Sequence, residues 1–373
     1  MRILLISSVE HQSGSALRFR GLAGALARRG HDVHLLEPVP AGTVPETPAG
    51  VRRQPCPRLP GRPEGQALLW VAHGAAAVLR VKPDVCWALK ALPNSWWPAR
   101  LAGWRGSRVA VDLDDLDWGY YPDGWARRFL RGRFDSALRH ADDVTVHTET
   151  MRARADAVRG GGRAAVFVDQ GIDVARFAEA RPVSGLRERL GLGPGPILLY
   201  AGHLGPASDL GPLLPALARV ARVHPAGHLL VVGDGRERTR LEARAGQELP
   251  PGWARFVGTV VHAEVPAYFA LADVALNFLE DTEANRHRAS IKLREALAAG
   301  VPVVTSPTPD ARRFAAWVEM PVGTGPDAFV DTLLATLARP ERDRARAGQA
   351  WLTEHGTFDA AVRDLAVRWE EGS

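Results

Sequence analysis

The chain has 373 residues, of which 46% are hydrophobic and 24% are charged, so it is long enough for two globular domains. Its two cysteines are too few for a disulfide framework or a cysteine-rich metal site, and they predict a reducing, cytoplasmic setting. The net charge of +5 is modest and the basic residues are dispersed, which disfavours nucleic-acid binding. No stretch approaches the roughly 18 apolar residues of a membrane span, and segment 1–8 is too short for a signal peptide.

Short apolar runs alternate with helical patterns through the first half of the chain, which is typical of parallel α/β architecture. The segments Ser15–Arg29 and Trp125–His140 carry apolar residues at helical spacing and are predicted to be helices. The apolar runs between helical segments are predicted to be strands, namely Ile3–Ile6, Val33–Leu36, Val51–Gln54, Val85–Leu89, Val109–Leu113, Val144–His147 and Ala165–Val168.

The alternation breaks across the turn-rich residues 171–196 and then restarts, which predicts a second α/β domain. The segment Asp327–Glu371 is predicted to be mostly helical. The other predicted helices of this half are Asp209–His224, Arg236–Ala245, Glu264–Leu271 and Ile291–Ala299. The predicted strands are Ile197–Ala201, Leu229–Val232, Ala254–Val257, Val274–Phe278 and Val301–Thr305.

Residues 285–304 form the most informative stretch, and they are predicted to be a loop, a helix and a buried strand. Ser290 is a favourable N-cap, and Gly300 is a favourable helix stop. The N–H groups of such a helix start, together with Lys292, suit a diphosphate, while Glu295 can accept hydrogen bonds from ribose hydroxyls. The alternative is an ordinary capped helix with an ion pair between Lys292 and Glu295.

Glycine-containing or acidic loops follow several predicted strands, where doubly wound sheets bind their ligands. Gly14 and Ser15 follow the first strand, and Gly233-Asp234-Gly235 follow a strand of the second half. Glycines there would allow the backbone close to phosphate, although they complete neither a dinucleotide fingerprint nor a P-loop. Two such sheet edges facing each other would form an interdomain cleft.

Four carboxylates crowd into residues 112–117, where their mutual repulsion is tolerable only with solvent or cations nearby. Acceptor-hydroxyl binding or general-base catalysis by Asp112 or Asp114 is one interpretation. A divalent ion or a solvated loop that caps the next helix are the others. We favour contact between a sugar or acceptor and Asp112 or Asp114.

Eight short motifs, in their order and spacing, resemble those of the GT-B glycosyltransferases, especially glycosyltransferase family 4. The likeness covers nearly the whole chain. The motifs are Gly14-Ser15 with the helix end Ala27–Val33, then Ala141–Val146, Gln170–Phe177, Leu199–Gly202, Val231–Gly235, Phe256–Gly258, Tyr268–Val274 and Lys292–Val304.

The resemblance implies a GT-B fold, in which two Rossmann-like, doubly wound parallel-sheet domains face an interdomain cleft. Residues 1–180 would bind the acceptor, residues 181–355 would bind the donor, and residues 356–373 would form a helix packed on the N-terminal domain. A sugar would pass, with retention of anomeric configuration, from a UDP- or GDP-sugar to a hydroxyl of a glycan, a lipid-linked acceptor or a small molecule. Neither a metal nor another cofactor is expected.

The family's diphosphate ligands differ at two positions of this chain. His203 and Ser208 stand where the family usually has an arginine and a lysine. We predict that Arg286 and Arg288 supply the missing positive charge. The full set of predicted donor-binding residues is Gly14, Ser15, His203, Ser208, Gly233, Asp234, Gly235, Thr259, Val260, Arg286, Arg288, Ser290, Ile291, Lys292, Leu293 and Glu295.

The family commonly has two glutamates eight positions apart, and Glu295 matches the second of them. His287 stands at the first position, and Asp281 or Glu283 could take that role from a displaced loop. The acidic segment 112–117 stands where the family's N-terminal domain often has a histidine. The predicted catalytic residues are therefore Asp112, Asp114, Glu283 and His287.

Aromatic residues gather near the predicted acceptor side, where one or two could stack on sugar or lipid and the rest would pack in the core. The predicted acceptor-side residues are Lys90, Trp96, Trp97 and Asp115. The helix Trp125–His140 carries five arginines opposite an apolar side, which predicts a core-facing helix with a solvated basic face. That face is also compatible with peripheral contact at the inner membrane surface, if the acceptor is lipid-linked.

Two other functions stay open at this point. One is a nucleotide-sugar epimerase or hydrolase of the same fold, which the products formed without an acceptor would reveal. The other is a non-catalytic partner protein that lost its diphosphate ligands at His203 and Ser208, which would bind no sugar nucleotide.

Overall fold

The computed structural model of the chain describes residues 1–9, 11, 13–40, 43, 46–54, 56–58, 63–160, 163–205 and 210–372. These residues form two compact units. The first unit consists of Met1–Ile172, His287–Ala289 and Thr357–Ser373, and the second of Asp173–Arg286 and Ser290–Gly356. For comparison, the sequence placed the domain limits at residues 180 and 355.

Strands and helices alternate along both units. The strands are β1 (Arg2–Ile6), β2 (Asp32–Leu36), β3 (Val39–Pro40), β4 (Val51–Gln54), β5 (Pro57–Arg58), β6 (Val85–Leu89), β7 (Arg108–Leu113), β8 (Asp143–Val146), β9 (Val166–Phe167), β10 (Ile197–Ala201), β11 (His228–Val232), β12 (Ala254–Gly258), β13 (Val274–Asn277) and β14 (Val303–Thr305). The helices are α1 (Gly14–Arg28), α2 (Pro63–Val81), α3 (Pro93–Trp104), α4 (Trp125–His140), α5 (Glu149–Arg159), α6 (Val174–Ala178), α7 (Leu186–Arg189), α8 (Leu210–Val223), α9 (Arg238–Glu248), α10 (Val265–Leu271), α11 (Glu283–Arg286), α12 (Ile291–Ala298), α13 (Pro309–Arg312), α14 (Pro326–Ala338), α15 (Arg342–His355) and α16 (Phe358–Glu371).

The first unit is built on a seven-stranded parallel sheet in the order β4-β2-β1-β6-β7-β8-β9, and β3 pairs with β5 separately. The central strands are apolar and buried on both faces, as expected where helices cover a parallel sheet. The last helix, α16, packs against α1 in this unit. Trp369 of α16 meets Trp87 of β6 edge to face, with ring centroids 5.4 Å apart.

The second unit has a five-stranded parallel sheet in the order β12-β11-β10-β13-β14. Strand order reverses between β10 and β13, because the chain runs outward to β12 and then returns to the other side of β10. Ligands of doubly wound sheets bind beyond the carboxyl ends of the strands at such a reversal. The carboxyl ends of β10 and β13 are therefore the place where this unit is expected to bind a ligand.

The predicted α/β class and most predicted element bounds are confirmed to within one or two residues. β14 begins only at Val303, because Pro302 has no N–H to donate to the sheet. β9 is limited to two residues. None of the helices within the described residues is long and apolar enough to cross a lipid bilayer.

Candidate active site

Glycine turns line the carboxyl edge of the second sheet. Gly233, after β11, has φ = +138°, and a Cβ at this position would lie 2.0 Å from the carbonyl oxygen of Gly202. A Cβ on Gly235 would lie 2.3 Å from the carbonyl oxygen of Leu204. Only glycine permits this close approach between the loops that follow β10 and β11. The edge is consequently lined by backbone, which a phosphate or nucleotide can approach closely.

The start of α12 is fixed by its N-cap residue, Ser290. The Ser290 Oγ accepts a hydrogen bond of 3.3 Å from the Leu293 N–H and donates one of 2.8 Å to Oδ1 of Asn277, the last residue of β13. The N–H groups of Ile291 and Lys292 precede the first intrahelical hydrogen bonds of α12. Two backbone donors at the positive end of the helix dipole therefore lie beside the carboxyl end of β13.

A buried ion pair supports the same helix start. The two Nη atoms of Arg294 donate to the two carboxylate oxygens of Asp310, each over 2.9 Å. The Ser290 N–H donates to Asp310 as well, also over 2.9 Å. Both charged side chains are 1% exposed. The sequence analysis missed this support, although an arginine among the apolar residues of α12 was the available signal.

Lys292 connects the start of α12 with the end of β10. Its Nζ lies 4.3 Å from the ring centroid of Tyr200 and donates a 3.0 Å hydrogen bond to the Tyr200 hydroxyl. Its stem crosses Gly202, where a Cβ would approach the lysine Cδ to 2.9 Å. The structure therefore brings the ammonium, the helix start and the glycine turns to one edge of the sheet.

Glu295 is a half-buried carboxyl one turn into α12. Burial raises its pKa to about 8, although Lys292 acts in the opposite direction. Within the described residues no ion pair shorter than 4.0 Å joins Glu295 to Lys292, whose ammonium turns to Tyr200 instead. The sequence alternative of a simple ion pair along the helix does not hold. Glu295 also has no protein hydrogen-bond partner in the described part of the chain, so it is available for hydroxyl groups of a ligand.

The other predicted donor residues of the second unit are more exposed. His203 is exposed beside Gly235 and acts electrostatically on Asp234. Thr259 and Val260 follow directly after β12. Ser208 lies outside the described residues.

The two arginines that were predicted to supply the missing positive charge, Arg286 and Arg288, belong to different units. Arg286 is exposed and forms a two-pronged ion pair with Asp281, at 2.6 and 2.9 Å. Arg288 and His287 belong to the first unit, where the His287 carbonyl accepts a 3.1 Å hydrogen bond from Thr148. Glu283 is exposed at the start of α11 in the second unit. The roles predicted for these residues stay predictions.

A lysine neutralises the acidic segment of the first unit. Lys90, at the end of β6, places its Nζ 2.7 Å from both Asp114 and Asp117. Its backbone has φ = +63°, which is uncommon for a residue with a side chain. Burial alone would lower the lysine pKa, but the surrounding aspartates hold it well above its usual range. The cation that the crowded carboxylates required is therefore part of the chain.

The two aspartates that pair with Lys90 have pKa values shifted in opposite directions. Burial opposes ionisation of Asp114, but Lys90 and a hydrogen bond from Ser15 keep its pKa below the usual value. Burial dominates at Asp117 and raises its pKa to about 6. Ser15, predicted to contact the donor, thus binds Asp114 in the first unit.

Four predicted contact residues of the first unit are buried: Lys90, Asp114, Asp112 and Trp96. The last two are almost fully enclosed. Asp112 has no exposed surface and is held by Arg18 at 2.6 Å, by the Thr145 hydroxyl and by His147 at 3.3 Å. Trp96 is 2% exposed and packs in the core. Neither residue can touch a substrate in this conformation, so both leave the set of candidate contacts. The sequence did not show the buried partners of Asp112.

Of the remaining acceptor-side candidates, Lys90 is buried, whereas Trp97 and Asp115 are accessible. Trp97 is 41% exposed on α3. Asp115 is partly exposed and accepts a 2.8 Å hydrogen bond from the hydroxyl of Tyr120. Gly14, which was predicted to bind the donor, is exposed as the first residue of α1 in the first unit.

Comparisons with known proteins bear on both units. Residues 13–170 match the family model "Glycosyl transferase 4-like domain", and residues 195–339 match "Glycosyl transferases group 1". The chain is 28% identical over 342 residues to a glycogen synthase of Mycobacterium tuberculosis, covering 82% of this chain and 78% of that protein.

A second relative and a solved structure agree with this match. The chain is 28% identical over 278 residues to a GDP-mannose-dependent alpha-(1-6)-phosphatidylinositol monomannoside mannosyltransferase of the same organism, covering 72% of this chain and 70% of that protein. The structure of sucrose-phosphate synthase from Thermosynechococcus elongatus superposes with a TM-score of 0.79 at 18% identity, covering 100% of this chain and 99% of that one. The matched domains and these relatives show that the chain is a glycosyltransferase with the GT-B fold, resembling glycosyltransferase family 4.

Proposed function

We propose that this enzyme transfers a hexose from a UDP- or GDP-hexose to a hydroxyl acceptor, with retention of configuration at the anomeric carbon. The arrangement of Lys292, Glu295 and the first N–H groups of α12 at the strand-order reversal carries this proposal. The relatives add support, since one is a glycogen synthase and the other is GDP-mannose-dependent. Retention rests on the resemblance to family 4.

The proposed donor site stabilises the leaving group. In the reaction, the bond between the anomeric carbon and the diphosphate oxygen breaks, and the acceptor oxygen bonds to that carbon and loses its proton. The diphosphate gains negative charge as it leaves. In this proposal, the N–H groups of Ile291 and Lys292 and the ammonium of Lys292 stabilise that charge as it develops, which would lower the barrier without prior reorganisation. The Glu295 carboxyl would hold the ribose hydroxyls.

The acceptor is proposed to bind the first unit near Asp114, Asp115 and Trp97. Lys90 fixes Asp114 beside the start of α1, while Trp97 offers an exposed ring for stacking. Glu283 and His287 are proposed to contact the transferred sugar. No metal or other cofactor is proposed.

Replacing Lys292 with methionine is expected to weaken donor binding about 10- to 100-fold, because a hydrogen bond to a charged group is lost. Isothermal titration calorimetry with UDP-glucose, GDP-mannose and the corresponding free diphosphates measures this effect. Lys82→Met is the matched control, since Lys82 is an exposed lysine of the first unit. Equal affinity in wild type and Lys292→Met would show that the diphosphate binds elsewhere.

Product analysis tests the reaction itself. The tight-binding donor, carrying ¹³C at the anomeric carbon, is incubated with octyl glucoside, octyl mannoside or maltoheptaose, and the new anomeric signal is read by NMR. We expect an α-linked product from an α-linked donor. A β-linked product would reject retention, whereas free hexose or an epimerised donor as the sole product would favour the hydrolase or epimerase alternative.

A further inference from the structure

The exposed aromatic side chains of the described residues all belong to segment 97–129 of the first unit. Trp104 and Trp125 are each 76% exposed, and Tyr121, Phe129 and Trp97 are between 41% and 47% exposed. In the second unit, the large hydrophobic side chains exposed among the described residues are all valines. Tryptophan and tyrosine combine an apolar ring with a polar edge, which suits them to the boundary between water and lipid.

Helix α4 carries two of these exposed aromatic residues in a regular arrangement. Its inward face consists of Phe134, Ala137 and Leu138, which are buried in the core of the first unit. Its outward face presents Trp125 and Phe129 one turn apart. An isolated exposed aromatic residue is ordinary, but two on one helical stripe are not explained by packing within the unit.

The same helix is strongly basic. Five arginines and one aspartate give α4 a net charge of +4. Arg127 pairs with Asp123 at 3.2 Å. Within the described residues, no carboxylate lies within 4.0 Å of the other four arginines of α4, which are Arg128, Arg131, Arg133 and Arg139. Arg131 lies over the ring of Trp118 and Arg133 over the ring of Phe129, and no carboxylate of the described residues neutralises either charge.

We propose that α4 docks the first unit peripherally on an anionic lipid surface, with Trp125 and Phe129 inserted between the headgroups. Arginine stems can lie along the apolar region while their guanidinium groups reach the phosphates. Each such arginine raises affinity for an anionic bilayer roughly fivefold. Trp104 extends the surface, because Arg100, which lies over its ring, also contacts the carbonyl of His140 at the end of α4. This docking does not depend on the proposed transfer reaction.

Vesicle flotation without any nucleotide tests the docking. Vesicles of phosphatidylcholine with phosphatidylglycerol are compared with vesicles of phosphatidylcholine alone, at low and at physiological salt. We expect binding to the anionic vesicles that is about tenfold or more stronger and that decreases with salt. Equal binding to both vesicles, or none to either, would overturn the proposal.

Paired variants locate the surface. The aromatic variant Trp125→Ser/Phe129→Ser and the charge variant Arg128→Glu/Arg131→Glu are each expected to lower vesicle binding about tenfold or more. Their controls in the second unit are Val261→Ser/Val322→Ser, which changes exposed apolar residues, and Arg339→Glu/Arg346→Glu, which changes exposed arginines. Both controls should bind vesicles like wild type.

Three further measurements test whether a loss of vesicle binding has another cause, namely misfolding, a damaged donor site or a changed oligomeric state. Circular dichroism and donor calorimetry should be unchanged in the aromatic variant, because its substitutions are exposed and belong to neither proposed ligand site. Light scattering should show the same mass for this variant and wild type. A dimer that Trp125→Ser/Phe129→Ser dissociates would instead assign the surface to a second copy of the chain. Aromatic and charge variants that bind vesicles like their controls would also reject the lipid surface.

Discussion

Replacing Asp310 with alanine is expected to lower the free energy of unfolding by about 3–5 kcal/mol, because it removes the carboxylate that neutralises a buried arginine. Arg294 is 1% exposed and donates two 2.9 Å hydrogen bonds to Asp310. Loss of one partner leaves a buried charge uncompensated, which costs more than the intact pair contributes. Urea unfolding followed by tryptophan fluorescence measures the change.

The double variant Asp310→Ala/Arg294→Met separates the buried charge from the loss of packing. We expect it to be more stable than Asp310→Ala alone, because the uncompensated guanidinium is gone. Asp331→Ala is the control for an exposed carboxylate, as it breaks a surface pair with Arg219 and should change stability by about 1 kcal/mol or less. An Asp310→Ala protein as stable as this control would contradict the interpretation.

Asp310 should also matter for the donor, although it lies outside the predicted site. It accepts the N–H of Ser290 and thereby holds the cap of α12 in place. Under conditions in which Asp310→Ala stays folded, this variant should therefore bind the sugar nucleotide more weakly than wild type. Lys82→Met should bind it like wild type. Unchanged affinity would mean that Ser290 and Asn277 suffice to hold the helix start.

Local sequence patterns predicted the elements that depend on local chemistry. The apolar runs at β10 and β13 predicted these two strands correctly, because a strand covered on both faces has few polar residues. Ser290 and Gly300 marked the ends of α12 closely, since caps act within a few residues. The cluster of glycine turns with Lys292 followed from the rule that parallel strands end at one edge of a sheet.

Long-range charge pairing was not predictable in the same way. Residues 112–117 show crowded carboxylates, but nothing local indicates that Lys90 lies between two of them. Arg18 is 94 residues from its partner Asp112 and lies in a helix that the pattern described only as amphipathic. Such pairs depend on the order of strands in the sheet, which one sequence does not specify. They decide which carboxylates can reach a substrate.

Replacing Glu295 with glutamine is expected to stabilise the folded protein at alkaline pH. Burial raises the pKa of this carboxyl from 4.5 to about 8. Between these values the folded protein keeps a proton on Glu295 that the unfolded chain has already lost. The contribution of Glu295 to the free energy of unfolding therefore falls by up to about 1.4 kcal/mol per pH unit as the pH rises from about 4.5. It levels off above about pH 8.

The glutamine variant carries no such charge, so its advantage over wild type should grow with pH. Water screens part of the effect at a half-buried side chain, and we expect a difference of about 2–4 kcal/mol near pH 8 and almost none near pH 5. Urea unfolding across this pH range gives the two curves. Glu248→Gln changes a more exposed glutamate of α9, and its stability should vary with pH in the same way as that of wild type. Parallel curves for Glu295→Gln would show that the pKa of Glu295 is not raised.

Glu295→Gln should also weaken donor binding. Higher stability and weaker donor binding in the same variant would show that Glu295 binds the donor at the expense of stability. A charged carboxylate accepting ribose hydroxyls is worth about 10- to 100-fold in affinity over a neutral amide. Because Glu295 holds a proton near neutral pH, donor binding by wild type should release that proton. Calorimetry in buffers with different ionisation enthalpies counts the protons, and Glu295→Gln should release fewer. A variant that is more stable at pH 8 yet binds the donor like wild type would confine Glu295 to a structural role and place the ribose contact elsewhere.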